Sequence, residues 1–395
     1  MTVTSATFTS TSPGDPLAAC AGDPLAALAD DALGGAVTHP GQVTAAVVGA
    51  SGYTGALLCE LLLRHPGVAL EQVSSEQLAG ALVADHLPRL RTALSFSAPA
   101  EVGGTDVAFV CAPHGQAAPV VSRLLDDGAR VVDLSADFRL DAETYAAWYG
   151  PHPYPSLLPQ AVYGLTELQR PALAGATLVA NPGCYPTAAL LALAPLAPLG
   201  LSDVVIDAKS GVSGAGKSPS ERTHFCSIDG DLVAYGLSGH RHYPEIVGGL
   251  AALAGAAGAG SGATEAAPNA AGAGPAGPGQ PAAPTVTFVP HLMPVARGIV
   301  ETIYVRAERL PSAAALRALY EEAYADEPFV ALADAPPELK DVVGTNACRL
   351  FATIDWAARR VIVVSVIDNL MKGAAGQAVQ NLNVMAGFPE HWGLT

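Results

Sequence analysis

Cys184 stands where a small-residue turn, residues 181–183, opens into the apolar run 188–196. A small-residue turn followed by an apolar run predicts the start of a helix. Unpaired backbone N–H groups and the positive end of the helix dipole both stabilise the thiolate form of a cysteine placed there. The sequence therefore predicts a nucleophilic cysteine, with a buried structural thiol as the alternative.

A second motif is typical of dinucleotide binding. An apolar strand pattern over residues 43–48 leads into a glycine turn at 49–55 and a helical pattern over 56–64. In such a unit the glycines let the backbone approach a pyrophosphate, and the helix N-terminus stabilises its charge. Ser51 takes the place of the usual second glycine. The cofactor-binding residues predicted from this turn are Gly49, Ser51, Gly52, Tyr53, Thr54 and Gly55.

Strands and helices alternate after this turn, which predicts a Rossmann-type doubly wound α/β sheet. Further strands are predicted at residues 68–73, 106–111, 129–133 and 177–180. Ligands in such sheets sit at the carboxyl ends of the strands. Those ends carry polar or small residues, namely Ser74, Ser75, Pro113, His114, Ser135, Asp137 and finally Asn181 to Cys184. Their convergence strengthens the prediction of a reactive Cys184.

From about residue 203 the pattern changes to longer β-like runs, at 204–208, 286–289, 299–306 and 349–354. These runs predict a second, α+β domain with a largely antiparallel sheet. The predicted division is 1–42 as a mobile extension, 43–183 as the dinucleotide-binding domain, 184–361 as a catalytic and oligomerisation domain, and 362–395 as a segment that returns to the first domain. Residues 251–284 are almost entirely Ala, Gly and Pro, which predicts a disordered insertion.

Composition excludes several classes of protein. The chain has 395 residues and a formal net charge of −16, which fits two domains and argues against a nucleic-acid partner. It shows neither an apolar run long enough to span a bilayer nor a signal-peptide pattern, so we expect a cytoplasmic protein with no membrane partner. The six cysteines are dispersed and are expected to be reduced. No ligand cluster stands beside the histidines at 240 and 242, so no metal is expected.

Eight motifs in residues 44–388 resemble the N-acetyl-γ-glutamyl-phosphate reductase family, relatives of aspartate-semialdehyde dehydrogenase. They lie at residues 49–55, 112–115, 133–139, 181–187, 210–217, 239–246, 297–299 and 368–378. The resemblance implies an enzyme of L-arginine biosynthesis that reduces N-acetyl-L-glutamyl 5-phosphate to N-acetyl-L-glutamate 5-semialdehyde and phosphate, with NADPH as reductant. It also implies a homodimer or homotetramer assembled through the second domain.

The chemistry of that family assigns roles to two side chains. Cys184 would attack the acyl phosphate and form a thioester, which hydride then reduces. The resemblance places the acid–base role on His240, and a histidine suits this role because its ordinary pKa lies near neutrality. His242 is the alternative, because alternate residues of a strand face opposite sides and only one of the two could face Cys184.

The substrate carries a carboxylate and an acyl phosphate, which arginines and backbone donors recognise. Arg241 and Arg297 are predicted to bind the carboxylate. The glycine- and hydroxyl-rich segment with Ser210, Ser213 and Lys217 is predicted to hold the phosphate.

The second strand is followed by Ser74, Ser75 and Glu76. An acid here usually pairs with the NAD ribose, whereas serines can bind the extra phosphate of NADP. We expect NADP and keep NAD as the alternative. The resemblance adds Asn369 to the cofactor-binding residues.

Three other functions fit part of the pattern. Aspartate-semialdehyde dehydrogenase shares the thiol mechanism, but the blocks at 184–187 and 240–246 favour the acetylglutamyl enzyme. A relative acting on a substrate held by an acidic carrier protein would need a basic entrance, and this chain offers little positive charge. A dinucleotide-binding regulator without catalysis would not need both Cys184 and His240.

Overall fold

The computed structural model describes residues 42–258 and 284–395, which form two seven-stranded sheets with flanking helices. The strands are β1 Val43–Val48, β2 Val68–Ser74, β3 Phe96–Ser97, β4 Val107–Val110, β5 Arg130–Asp133, β6 Ala161–Tyr163, β7 Leu178–Ala180, β8 Leu201–Gly211, β9 Val233–Ala234, β10 Thr285–Met293, β11 Ile299–Ala307, β12 Val330–Leu332, β13 Cys348–Asp355 and β14 Arg360–Ile367. The α-helices of eight or more residues are α1 Tyr53–Arg64, α2 Ala117–Asp126, α3 Ala142–Tyr149, α4 Thr166–Leu173, α5 Cys184–Leu193, α6 Tyr243–Gly258, α7 Ala313–Tyr324 and α8 Gly376–Ala386.

The first sheet has the strand order β3-β2-β1-β4-β5-β7-β6, and every neighbouring pair is parallel. All four residues of β4 are buried, as expected for a parallel strand covered by helices on both faces. The chain runs outward from β1 to β2 on one side and from β4 to β5 on the other. The crevice between β1 and β4 is therefore the ligand-binding position of this sheet, and the predicted doubly wound fold is confirmed.

The second sheet has the order β12-β13-β14-β11-β8-β10-β9. Four of its six neighbouring pairs are antiparallel, and β8–β10 and β12–β13 are parallel, which confirms the largely antiparallel second domain. Buried and half-buried residues alternate along β11, and its buried side packs on α5. Strand β14 lies inside this sheet, so the chain leaves the sheet after Ile367 and not at residue 362.

The C-terminal helix α8 returns to the first sheet and packs against α1 and α4. Asn381 on α8 donates a hydrogen bond of 2.8 Å to the carbonyl of Gly164 and accepts one of 2.8 Å from the hydroxyl of Thr166. A buried ion pair of 2.5 Å between Lys372 and Glu167 lies in the same region. The segment after β14 thus joins the two sheets.

Residues 1–41 and 259–283, which include almost all of the predicted extension and most of the predicted insertion, lie outside the described residues. For residues 251–258 the prediction of disorder is wrong, because α6 continues to Gly258. Leu250 packs in the second core and Ala252 is also buried, and alanine and leucine are strong helix formers. No helix in the described part of the chain is long and apolar enough to cross a membrane.

Candidate active site

The glycine turn after β1 has the shape that a dinucleotide phosphate requires. Gly49 has φ +80°, and a Cβ there would lie 2.7 Å from the carbonyl oxygen of Cys111, so only glycine fits. Gly52 is the N-cap of α1, and the first turn of α1 contains no acidic residue. Its backbone N–H groups and the helix dipole are therefore available to an anion, and the residues present fit a dinucleotide.

A cleft of about 600 Å³ opens beside this turn. Ser51 and Ser75 line it and share a hydrogen bond of 2.9 Å between their hydroxyl oxygens. Pro113 and Lys217 also line it. Ser74 is fully buried and holds the turn through its carbonyl, which accepts the N–H of Ala50 at 2.9 Å.

Asp137 holds the loop that forms the far side of this cleft. One carboxylate oxygen accepts the N–H of Gly115 at 2.7 Å and the hydroxyl of Tyr145 at 2.9 Å. The other accepts the N–H groups of Ala117 and Ala118 at 3.2 and 3.1 Å. A carboxylate at these N–H groups stabilises the start of α2. The motif at 133–139 is thus a support for the loop that carries Pro113 and His114.

Cys184 is the first residue of α5, as the sequence predicted, and Gly183 is the extended N-cap. The helix that follows is apolar and buried from Tyr185 to Leu193, so it is fixed by packing in the second core. A Cβ on Gly373 would lie 2.7 Å from the Cβ of Cys184. The thiol is therefore held between the start of α5 and the segment before α8.

Two buried charged residues fix the turn before Cys184. The guanidinium of Arg139 donates to the carbonyl of Asn181 at 2.8 Å and lies 3.3 Å from the carboxylate of Glu245. Glu245 accepts the N–H of Gly183 at 2.8 Å. Neither residue was predicted to belong to the site, although they lie in the motifs at 133–139 and 239–246. The signal that could have found Glu245 is its charge inside the motif that also carries His240.

The thiol of Cys184 is protonated at neutral pH in this structure. Burial raises its pKa to about 12, against the backbone hydrogen bond from Tyr185 and the charge of Arg139, which lower it. The helix start thus favours the thiolate, as expected, but desolvation outweighs it. Cys184 needs a neighbouring group that accepts its proton.

The two candidate histidines lie in a turn before α6 and not in a strand, so our premise that they face opposite sides is wrong. The centroids of their rings lie 5.1 Å apart. Both rings contact the ring of Tyr185, with centroid distances of 5.6 Å for His240 and 5.8 Å for His242. A turn can bring both side chains to one side because it lacks the two-residue alternation of a strand. Both rings therefore lie beside the residue that follows Cys184.

The histidines differ in their surroundings. His240 lines a second cavity, of about 820 Å³, together with Arg222 and Tyr235. Its pKa is lowered to about 4 by burial and by the charge of Arg241. His242 lies deeper, and a Cβ on Gly183 would be 2.7 Å from its Nε2. Burial, together with nearby positive charges, holds the pKa of His242 well below its usual value, so both rings are neutral at pH 7.

The three predicted cationic substrate-binding residues each have a different partner. Arg241 is exposed, and its guanidinium carbon lies 5.7 Å from the ring of Tyr149. Arg297 forms an ion pair of 2.8 Å with the buried Asp368. Lys217 donates to the carbonyl of Ser51 at 3.1 Å, which places it at the cofactor cleft.

The remaining predicted residues lie at the end of β8 and in the segments that follow β8 and β14. The hydroxyl of Ser210 is buried and donates to the carbonyl of Gly211 at 3.0 Å. Asn369 donates to the hydroxyl of Ser213 at 2.9 Å and accepts the N–H of Gly298 at 2.7 Å. Ser210, Ser213 and Asn369 stay predictions as ligand contacts. Among the described residues, no group of three or more His, Cys, Asp or Glu side chains is placed to hold a metal ion.

Two family models match the chain. The model for "Semialdehyde dehydrogenase, NAD binding domain" matches residues 44–176, and that for "Semialdehyde dehydrogenase, dimerisation domain" matches residues 184–269 and 277–369. Together with the glycine turn and the thiol, they define a nicotinamide-dependent oxidoreductase of the semialdehyde dehydrogenase class.

Individual relatives narrow this class. N-acetyl-gamma-glutamyl-phosphate reductases are 43% identical in Dehalococcoides mccartyi, 44% in Pseudomonas aeruginosa and 45% in Azotobacter vinelandii. These alignments cover 89%, 90% and 89% of this chain and 96%, 98% and 98% of the relatives. The chain belongs to the N-acetyl-gamma-glutamyl-phosphate reductase family, as its motifs indicated.

Solved structures agree on the fold. Aspartate semialdehyde dehydrogenase II from Vibrio cholerae superposes with a TM-score of 0.64 at 18% identity, over 88% of this chain and 99% of that one. The enzyme from Candida albicans, solved with NADP, gives 0.58 at 15% identity, over 87% and 98%. At such identities the likeness concerns architecture alone.

Proposed function

We propose that this protein reduces N-acetyl-L-glutamyl 5-phosphate to N-acetyl-L-glutamate 5-semialdehyde and phosphate in L-arginine biosynthesis, with NADPH as the hydride source and Cys184 as the nucleophile. The observation that carries the proposal is the position of Cys184 at the start of α5, with two neutral histidines against the ring of Tyr185, the next residue. Membership of the reductase family, at 43–45% identity to named members, supports the choice of substrate.

The thiol chemistry would run in two stages. The sulfur of Cys184 bonds to the acyl carbon, the carbon–oxygen bond to phosphate breaks, and the thiol proton passes through a neighbouring acceptor to the leaving phosphate. When bound, a reduced nicotinamide would supply the hydride that converts the thioester on Cys184 into a thiohemiacetal. The carbon–sulfur bond then breaks, the sulfur regains a proton, and the semialdehyde leaves.

His240 is the proposed acid–base residue. Its Nδ1 accepts the backbone N–H of His242 at 3.1 Å, so the neutral ring carries its proton on Nε2. An Nε2–H that reaches the acyl oxygen would donate to it as that oxygen gains negative charge. His242 remains the competitor, because its Nδ1 is buried without a hydrogen-bond partner among the described residues and could accept the thiol proton.

For the substrate carboxylate we keep Arg241 and Arg297 as candidates and add Arg222. Arg222 lines the cavity that His240 also lines, and arginine binds carboxylates through two parallel hydrogen bonds. Arg297 already has Asp368 as its partner, so a role in binding would require sharing that contact. We therefore expect Arg222→Gln to raise KM for the semialdehyde more than Arg297→Gln does.

We further propose that identical subunits form a homodimer or homotetramer in the cytoplasm. The dimerisation-domain match supports self-association. Val205, Tyr304 and Ile362 are cross-strand neighbours on the sheet side opposite α5, and all three are only half-buried. Tyr304→Glu should lower the mass in analytical ultracentrifugation, and an unchanged mass would exclude this face.

The reaction itself is tested in the reverse direction. Purified protein is assayed for phosphate-dependent reduction of NADP⁺ or NAD⁺ by N-acetylglutamate semialdehyde, in parallel with aspartate semialdehyde. We expect activity with the acetylated substrate and NADP⁺, its loss in Cys184→Ala, and its retention in Cys226→Ala, which removes an exposed thiol. Activity with aspartate semialdehyde alone would contradict the substrate, and a preference for NAD⁺ would contradict the cofactor.

The two histidines are separated by a second readout. His240→Gln should lower kcat while leaving the alkylation rate of Cys184 at neutral pH unchanged, because an amide cannot transfer a proton to the substrate oxygen. If His242 accepts the thiol proton, His242→Gln slows alkylation as well. A normal kcat in His240→Gln would refute the proposed acid.

A further inference from the structure

Lys217 belongs to the second domain but contacts the glycine turn of the first. It follows β8 and a short 3-10 turn at residues 212–215, and its ammonium donates to the carbonyl of Ser51 at 3.1 Å. The hydroxyl of Ser51 in turn shares its 2.9 Å hydrogen bond with Ser75 at the end of β2. Ser51 thus links the ammonium of Lys217 to Ser75, the residue that follows β2.

The end of β2 is the place where this fold distinguishes NAD from NADP, because the 2′ position of the adenosine ribose lies there. Ser75 and Glu76 line the cleft at this point. A carboxylate favours a ribose hydroxyl and repels a 2′-phosphate, so a site with Glu76 alone would select NAD. A compensating positive charge is required for NADP.

Lys217 is the sole lysine or arginine among the described residues that line this cleft. Its side chain is exposed, and the neighbouring Ser218 and Pro219 line the same cleft. An ammonium on a flexible stem acts as a point charge that suits a phosphate. The structure therefore provides the required charge from outside the dinucleotide-binding sheet.

We propose, with the NADP preference above as the premise, that Lys217 is a specificity-determining residue that binds the 2′-phosphate of NADP and offsets Glu76. The ligand is the cofactor and not the acyl phosphate, because the ammonium contacts the glycine turn that follows β1. The second domain thereby takes part in cofactor selection.

Equilibrium binding tests this assignment independently of turnover. Isothermal titration calorimetry is performed with NADP⁺, NAD⁺, 2′,5′-ADP and ADP on the wild type, Lys217→Gln, Lys217→Arg and the surface control Lys340→Gln. Lys217→Gln should weaken NADP⁺ and 2′,5′-ADP about tenfold, the effect of losing one hydrogen bond to a charged group, and change NAD⁺ and ADP less than about twofold. Lys217→Arg and Lys340→Gln should bind like the wild type.

Other outcomes overturn the assignment. Equal weakening of NADP⁺ and NAD⁺ would place Lys217 at the pyrophosphate. Unchanged binding of both, with a raised KM for inorganic phosphate, would place it at the substrate. If the wild type binds NAD⁺ as tightly as NADP⁺, the proposed preference for NADP is refuted. If the wild type prefers NADP⁺ and Lys217→Gln keeps that preference, only the role of Lys217 is refuted.

A second variant tests the opposing charge. Glu76→Gln removes the carboxylate from the same cleft, so NADP⁺ should bind several-fold more tightly while NAD⁺ binds equally well or more weakly. Tighter binding of NAD⁺ in this variant would contradict the offsetting roles of the two charges.

Discussion

Replacing Glu245 should damage both stability and the environment of the nucleophile. Its carboxylate pairs with Arg139, and the two side chains are 3% and 6% exposed. It also accepts the hydroxyl of Tyr163 and the N–H of Gly183, both at 2.8 Å. Glu245→Ala leaves the guanidinium buried without its charge partner, which costs roughly 3–5 kcal/mol of unfolding free energy. Glu245→Gln keeps an acceptor oxygen and should cost about 2 kcal/mol.

Urea unfolding followed by circular dichroism measures the stability change at a fixed protein concentration. The matched control is Glu60→Ala, which removes an exposed ion pair with Arg64 and should cost at most about 1 kcal/mol. Mass spectrometry follows alkylation of Cys184 by iodoacetamide, which should be faster in Glu245→Ala because a loosened turn reduces burial of the thiol. A loss of stability no larger than that of the control, with unchanged alkylation, would refute the role given to Glu245.

Three further predictions concern packing, pH and a buried charge. Gly373→Ala places a methyl group 2.7 Å from the Cβ of Cys184. Because this displaces the thiol, steady-state kinetics should show kcat lowered about 10- to 100-fold, while the Kd for the cofactor stays unchanged. The pKa of His240 is lowered to about 4 in the folded protein, so as the pH falls this histidine becomes protonated in the unfolded chain before it does in the folded one. The urea midpoint of unfolding should therefore fall between about pH 6.5 and pH 4, and should fall less in His240→Gln. A urea midpoint that does not change with pH would contradict this. Lys372→Met leaves buried Glu167 without its charge partner and should lower the unfolding free energy by roughly 3–5 kcal/mol, which adding Glu167→Met should partly restore.

The amino-acid sequence by itself determined the elements that depend on local sterics and periodicity. The turn after β1 needs glycine because its backbone has positive φ and a close carbonyl neighbour, so the pattern was readable along the chain. Cys184 at the start of α5 follows likewise from a small-residue turn before an apolar run. Strands β3 and β9 were not predicted, since two residues are too few for a period to be recognised. The eight-residue run that forms β14 was also missed, because most of it was assigned to the C-terminal segment.

Only the tertiary structure decided which charged groups meet and how burial changes their chemistry. Arg139 and Glu245 are 106 residues apart, and Lys217 and Ser51 are 166 apart. Contacts across such separations leave no local pattern, because they depend on how the strands and domains are ordered. The pKa of Cys184 likewise depends on desolvation by surrounding residues, which explains why a site at a helix start holds a protonated thiol.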